Sequence, residues 1–210
     1  MNETYKIQVQ DLVDDLKAVF THAGLGGEAG EYKLLTQSFL YKFLNDKFLY
    51  QAKVLDESNT YENLLSMGED DYDWLLEDIG TSTAWLKSDQ LIETLHRQQN
   101  EATFYESFEN TLNQIAIDNN DIFSVHTDGD TAIRLFDERL ITDTISDSSK
   151  RNEVAKAIIN LLARVKFDET IFSQGFDFFS TLFEYMIKDY NKDGGGKYAE
   201  YYTCLLYTSP

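Results

Sequence analysis

The sequence predicts a mainly α-helical fold, a helical bundle with at most a small β-hairpin. Three observations lead there. Apolar residues recur at helical spacing along most of the chain, the single proline is Pro210, and no repeat or flexible linker divides the length. Proline averages about 5% of residues, so a chain that meets its first one at its last position favours long helices with few sharp turns. Of the 210 residues 42% are hydrophobic and 14% aromatic, enough for one core and too much for a disordered acidic tail.

Taken in order, Leu12, Val13, Leu16, Val19 and Phe20 form a stripe that stops near Gly24, Gly26 and Gly27. A second helix is expected from about Glu31 to Leu55, with Leu35, Phe39, Phe43 and Leu44 inward and Lys42, Asp46 and Lys47 at solvated positions. Tyr72, Trp74, Leu75 and Leu76 suggest a short acidic helix, and Leu91, Ile92 and Leu95 another that Ser88 could cap. Phe104, Phe108, Leu112 and Ile115 recur at helical spacing. Phe123, Val125, Asp128-Gly129, Ile133 and Leu135 fit a small hairpin, because Asp-Gly favours a tight turn. Val154, Ile158, Leu161, Leu162 and Val165 mark a penultimate helix, and Phe176, Phe179, Phe183, Met186 and Ile187 a final one.

Charge and cysteine usage narrow the function classes. Eighteen basic and 37 acidic side chains give 18 − 37 = −19. DNA-binding surfaces are normally basic, because counterion release drives association, so this chain is not expected to hold duplex DNA alone. No stretch approaches 18 uninterrupted apolar residues, and Met1-Asn2-Glu3-Thr4-Tyr5 has neither a basic start nor an apolar run. The expectation is a soluble, cytoplasmic protein with no membrane partner. The only cysteine, Cys204, lies with Pro210 in Cys-Leu-Leu-Tyr-Thr-Ser-Pro. That heptapeptide resembles the translation of a transposon end used to prepare sequencing libraries, so residues 204–210 are expected to be a non-native tail. Without them disulfide and thiol chemistry are excluded.

Three constellations could carry chemistry. Glu93-Thr94-Leu95-His96 sets carboxylate and imidazole on one helix face, as a carboxylate-bridged di-iron site requires. Neither His22 nor His126 has a Glu three positions earlier to supply a second copy, so a surface pair is the favoured reading. Asp189-Tyr190-Asn191-Lys192-Asp193-Gly194, followed five residues later by Glu200, satisfies the calcium-loop pattern in full. Alternating oxygen ligands, a turn glycine and a final bidentate Glu would wrap a hard cation. Against it, Gly196 takes the place of the usual aliphatic pairing residue, Lys197 stands at a ligand-bearing position, and three consecutive glycines make ordering the loop costly.

The same stretch supports a third reading. Phe176-Asp177-Phe178-Phe179, Phe183-Glu184-Tyr185-Met186-Ile187 and then Gly194-Gly195-Gly196-Lys197-Tyr198-Ala199-Glu200-Tyr201-Tyr202-Thr203 resemble the junction in methyltransferase (M) subunits of type I restriction-modification systems. There a helix leads through a glycine-rich loop into a Gly-x-aromatic-aromatic-Thr-Pro motif. Phe39-Leu40-Tyr41-Lys42-Phe43-Leu44-Asn45-Asp46 is similar to that family's early Phe-Leu-Lys-Tyr-Leu segment.

The resemblance implies a helical N-terminal domain over 1–193 and, over 194–203, the start of a Rossmann-like catalytic domain that this chain otherwise lacks. By position, Glu200, Tyr201, Tyr202 and Thr203 would sit at the S-adenosyl-L-methionine pocket. Thr203 would hydrogen-bond the methionine carboxylate, and an aromatic ring would pack on the cofactor's apolar parts. The pattern breaks at Cys204, where the family has proline and where the suspected tail begins.

Catalytic residues would lie downstream, among them the Asn-Pro-Pro-aromatic motif, so N6-adenine methylation would belong to the full-length parent and this chain would be inactive. Implied partners are a specificity subunit, a second M subunit, a restriction subunit, and double-stranded DNA in the assembled complex. The alternatives are an EF-hand-like calcium-binding module and a purely structural helical interaction domain.

Overall fold

A computed structural model describes residues 3–81, 83–120, 135–167 and 172. Among these the structure is helical and holds no strand. Helix α1 (Glu3–His22) and the long α2 (Ala29–Leu55) are joined by six residues, close to their expected bounds. Gly24 has φ of +94°, a left-handed conformation that lets the chain turn back immediately after α1. Glu31 Oε2 accepts the Gly27 N–H at 2.7 Å, which ties this loop to the first turn of α2.

Two short helices follow, α3 (Tyr61–Ser66) and α4 (Glu69–Ile79). Thr60 caps α3 by accepting the Asn63 N–H. A 3-10 turn over Ser88–Gln90 then leads into α5 (Ile92–Gln98). Ser88 does not cap α5 as expected. It lies inside the turn, Leu91 occupies the cap position, and the Ser88 carbonyl accepts the Thr94 hydroxyl at 2.6 Å. Helix α6 (Phe104–Asp118) is followed by the five-residue α7 (Leu140–Thr144) and by α8 (Ser148–Arg164), with Val165 just past its end. The expected hairpin falls outside the described residues except for Leu135, and the Phe176–Ile187 helix lies wholly outside them.

The helices close around one core. Helix α8 packs on α1, α5 and α6, while α2 packs on α1, α4 and α7. The inward faces are those the periodicity marks: Leu12, Val13, Leu16 and Phe20 from α1, Leu35 and Phe39 from α2, Phe104, Phe108, Leu112 and Ile115 from α6, and Ile158 and Leu162 from α8 are fully buried. Burying side chains of this size is worth about 1.5–3 kcal/mol each before chain entropy is set against it. No helix among the described residues is long and apolar enough to cross a membrane.

Candidate functional site

Glu200, Tyr201, Tyr202 and Thr203, the calcium-loop pattern Asp189 to Glu200 and the tail from Cys204 all lie outside the described residues. Glu93 and His96 lie on α5. His96 Nε2 pairs with Asn160 Oδ1 on α8 at 2.9 Å, so the imidazole joins two helices. No group of three or more His, Cys, Asp or Glu among the described residues could hold a metal ion.

The segment Phe39 to Asp46 lies in the middle of α2 and corrects one expectation. Lys42 and Asp46 are not solvated. They are 3% and 8% exposed and form an ion pair, with Nζ 3.0 Å from Oδ1 and 2.9 Å from Oδ2. The cause is the helix itself. Lys42 follows Leu35 by seven residues and Phe39 by three, and Asp46 follows Phe39 by seven, so both charges lie on the arc of α2 that Leu35 and Phe39 turn into the core.

A buried ion pair survives only if its remaining lone pairs and protons find partners, and here they do. Asn45 Nδ2 donates to Asp46 Oδ1 at 2.8 Å, the Phe167 N–H donates to Oδ2 at 3.0 Å, and Lys42 Nζ lies 5.5 Å from the centre of the Phe167 ring. Asn45 Oδ1 in turn accepts the Ile92 N–H at 2.9 Å, at the start of α5. Lys47 is half-buried over the Phe43 ring, and burial lowers its pKa.

A second polar seam fixes the irregular stretch before α5. The Tyr41 hydroxyl donates to the Gln90 carbonyl at 2.6 Å, and the Tyr72 hydroxyl donates to the Leu86 carbonyl at 2.8 Å. Burial, with the charge of Asp89 behind it, raises both phenols above their ordinary value of 10.0. Asn119 reads both backbone groups of Trp85, accepting its N–H at 2.6 Å and donating to its carbonyl at 2.8 Å. Gln90 Nε2 donates to Asp118 at 2.8 Å. On the far side, Glu109 accepts the Thr142 N–H and hydroxyl at 2.6 and 2.9 Å and so secures α7 to α6. These side chains tie helices to one another and to the irregular stretch before α5.

The surface is charged unevenly. Between residues 54 and 86 the sequence has nine acidic side chains and no Lys or Arg. Six of them are on α4, where Asp70, Asp73, Trp74 and Glu77 line a shallow concavity and Trp74 is 67% exposed. Such a face repels phosphate.

Fold and geometry together define a class, an acidic helical bundle whose buried polar side chains include several ties between its elements. No family model, curated protein or solved structure matches the chain.

Proposed function

We propose that the chain is the N-terminal helical domain of the methyltransferase subunit of a type I restriction-modification system, whose full-length parent transfers a methyl group from S-adenosyl-L-methionine to adenine N6 in DNA. The observation that carries this reading is the run Gly194 to Thr203, with its glycine-rich start and its Tyr201-Tyr202-Thr203 end. The mainly helical fold is compatible with it. In the parent, Glu200, Tyr201, Tyr202 and Thr203 would form one edge of the cofactor pocket. The target base would be extruded from the duplex into a site built by residues further on.

The net charge of −19 supports a position away from the phosphates, where the domain would pack on a sister subunit or borrow contacts from a specificity subunit. The test is the natural coding sequence beyond Thr203. Proline is expected next, since it suits the first turn of a helix, followed by a glycine-rich loop after a strand and later an Asn-Pro-Pro-Phe or Asn-Pro-Pro-Tyr motif. A stop codon after Pro210, with the same seven residues encoded, would overturn the reading and leave a structural helical interaction domain.

A calcium-binding module is the second reading, favoured by the full pattern from Asp189 to Glu200. Calorimetric titration separates the two. We expect no specific calcium binding; a single micromolar site abolished by Glu200→Gln would promote this alternative.

A further inference from the structure

We infer that the buried Lys42–Asp46 pair is a latch, a positioning device on α2 that sets the path of the chain as it leaves α8. The last helical residue is Arg164, and the backbone is already irregular at Val165. Two residues later the Phe167 N–H donates to Asp46 Oδ2 at 3.0 Å, across 121 positions of sequence, while the ring lies over the Lys42 ammonium. Further along, Phe172 stacks on Tyr50 with ring centres 5.5 Å apart and meets Phe43 at 5.8 Å. Lys42, Phe43, Asp46 and Tyr50 belong to consecutive turns of one helix, so Phe167 and Phe172 each meet α2.

Stability alone does not account for an ion pair here. Desolvating two charges costs several kcal/mol each, and replacing a buried pair by apolar groups of similar volume is often neutral or stabilising. What an apolar pair cannot supply is an acceptor for one particular backbone N–H. Asp46 spends one oxygen on Asn45 and Lys42 and shares the other between Lys42 and Phe167, so only one placement of the exit satisfies every donor. An apolar surface would accept a range of placements.

Hydrogen exchange at the Phe167 amide, tryptic cleavage after Lys166 and thermal melting of the full chain test this together. For the double variant Lys42→Met with Asp46→Leu, we expect a cooperative melt with a midpoint close to the parent's. At the same time Phe167 exchange should become at least about tenfold faster, the factor that loss of about 1.4 kcal/mol corresponds to, and cleavage after Lys166 should accelerate. The single variant Asp46→Asn, which keeps the shape and strands the ammonium, should lower the midpoint as well. Parent-like protection of Phe167 in the double variant would overturn the latch. Failure of that variant to fold would overturn it too, by making the pair a requirement of the core.

Discussion

Tyr41 is fully buried, with its hydroxyl 2.6 Å from the Gln90 carbonyl and the Phe108 ring edge-on at 6.2 Å. Tyr41→Phe leaves the ring packing intact and strands a carbonyl, so it should cost about 1–2 kcal/mol, read as a lower denaturant midpoint at unchanged slope. An unchanged midpoint would show that the bond does no more than offset its own desolvation. Asp118 offers a test against pH. Burial acts to raise its pKa, but hydrogen bonds from Gln90 and Gln114 and the nearby Lys87 outweigh burial and hold it below its ordinary value of 3.8. A carboxyl lowered in the folded state contributes stability that is present above the unfolded value and lost as pH falls through the folded one. Melting midpoints followed downward through pH 3.8 should therefore fall less steeply for Asp118→Asn than for the parent. Equal slopes would mean that these bonds do not favour the charged form.

At the scale of the helices, glycine positions decide between propensity and fit. Gly30 lies in the first turn of α2, where alanine would gain about 1 kcal/mol of helix propensity. A Cβ there would lie 2.6 Å from the Thr144 Cγ2 on α7, closer than real Cβ atoms come. The clash should win: Gly30→Ala is expected to destabilise, and Thr144→Ser in the same chain to restore the helical gain, as a double-mutant cycle would show. Additivity of the two changes would place α7 elsewhere. Gly80, at the end of α4, has φ +61° and ψ −141°, a region that residues with a Cβ rarely occupy. Its carbonyl accepts the Trp85 indole N–H at 2.7 Å, so the turn is held in place.

Much of this architecture was legible in residue spacing. The stripes on α1, α6 and α8 each show one apolar face against a polar one, and their burial follows. Helix α2 was legible as a helix but not in the burial of its charges. The signal was present in the spacing, since Lys42 follows Leu35 by seven residues and Asp46 follows Phe39 by seven, but a charged side chain at such a position reads as solvated unless its partner is seen. Helices α3 and α7, at six and five residues, are too short to show a period. The expected site, Glu200 to Thr203, was read from resemblance, and no geometry among the described residues bears on it.

At the scale of the whole molecule, two electrostatic effects compete, and salt can tell them apart. The net charge of −19 sets up self-repulsion across the surface, concentrated between residues 54 and 86, where nine acids lie without a basic neighbour in sequence. Opposing it are surface pairs such as Lys33–Asp137 at 2.8 Å, Lys87–Asp118 at 3.3 Å, Arg139–Asp143 at 3.6 Å and Arg164–Asp15. Exposed pairs are worth about 0–1 kcal/mol each and often nothing measurable. Repulsion is summed over many more carboxylates than the pairs can neutralise, so screening should remove more unfavourable energy than favourable. The melting midpoint should therefore rise as sodium chloride is raised from about 0.1 M to about 1 M, where the Debye length shrinks from roughly 10 to roughly 3 Å. The buried Lys42–Asp46 pair, shielded from solvent ions, should not contribute to the change. Sulfate would confound the reading by strengthening apolar burial, so chloride is the salt to use. A midpoint that fell with chloride would mean that the surface pairs act as a network rather than singly, and that the acidic stretch from 54 to 86 is compensated by cations its own sequence does not contain.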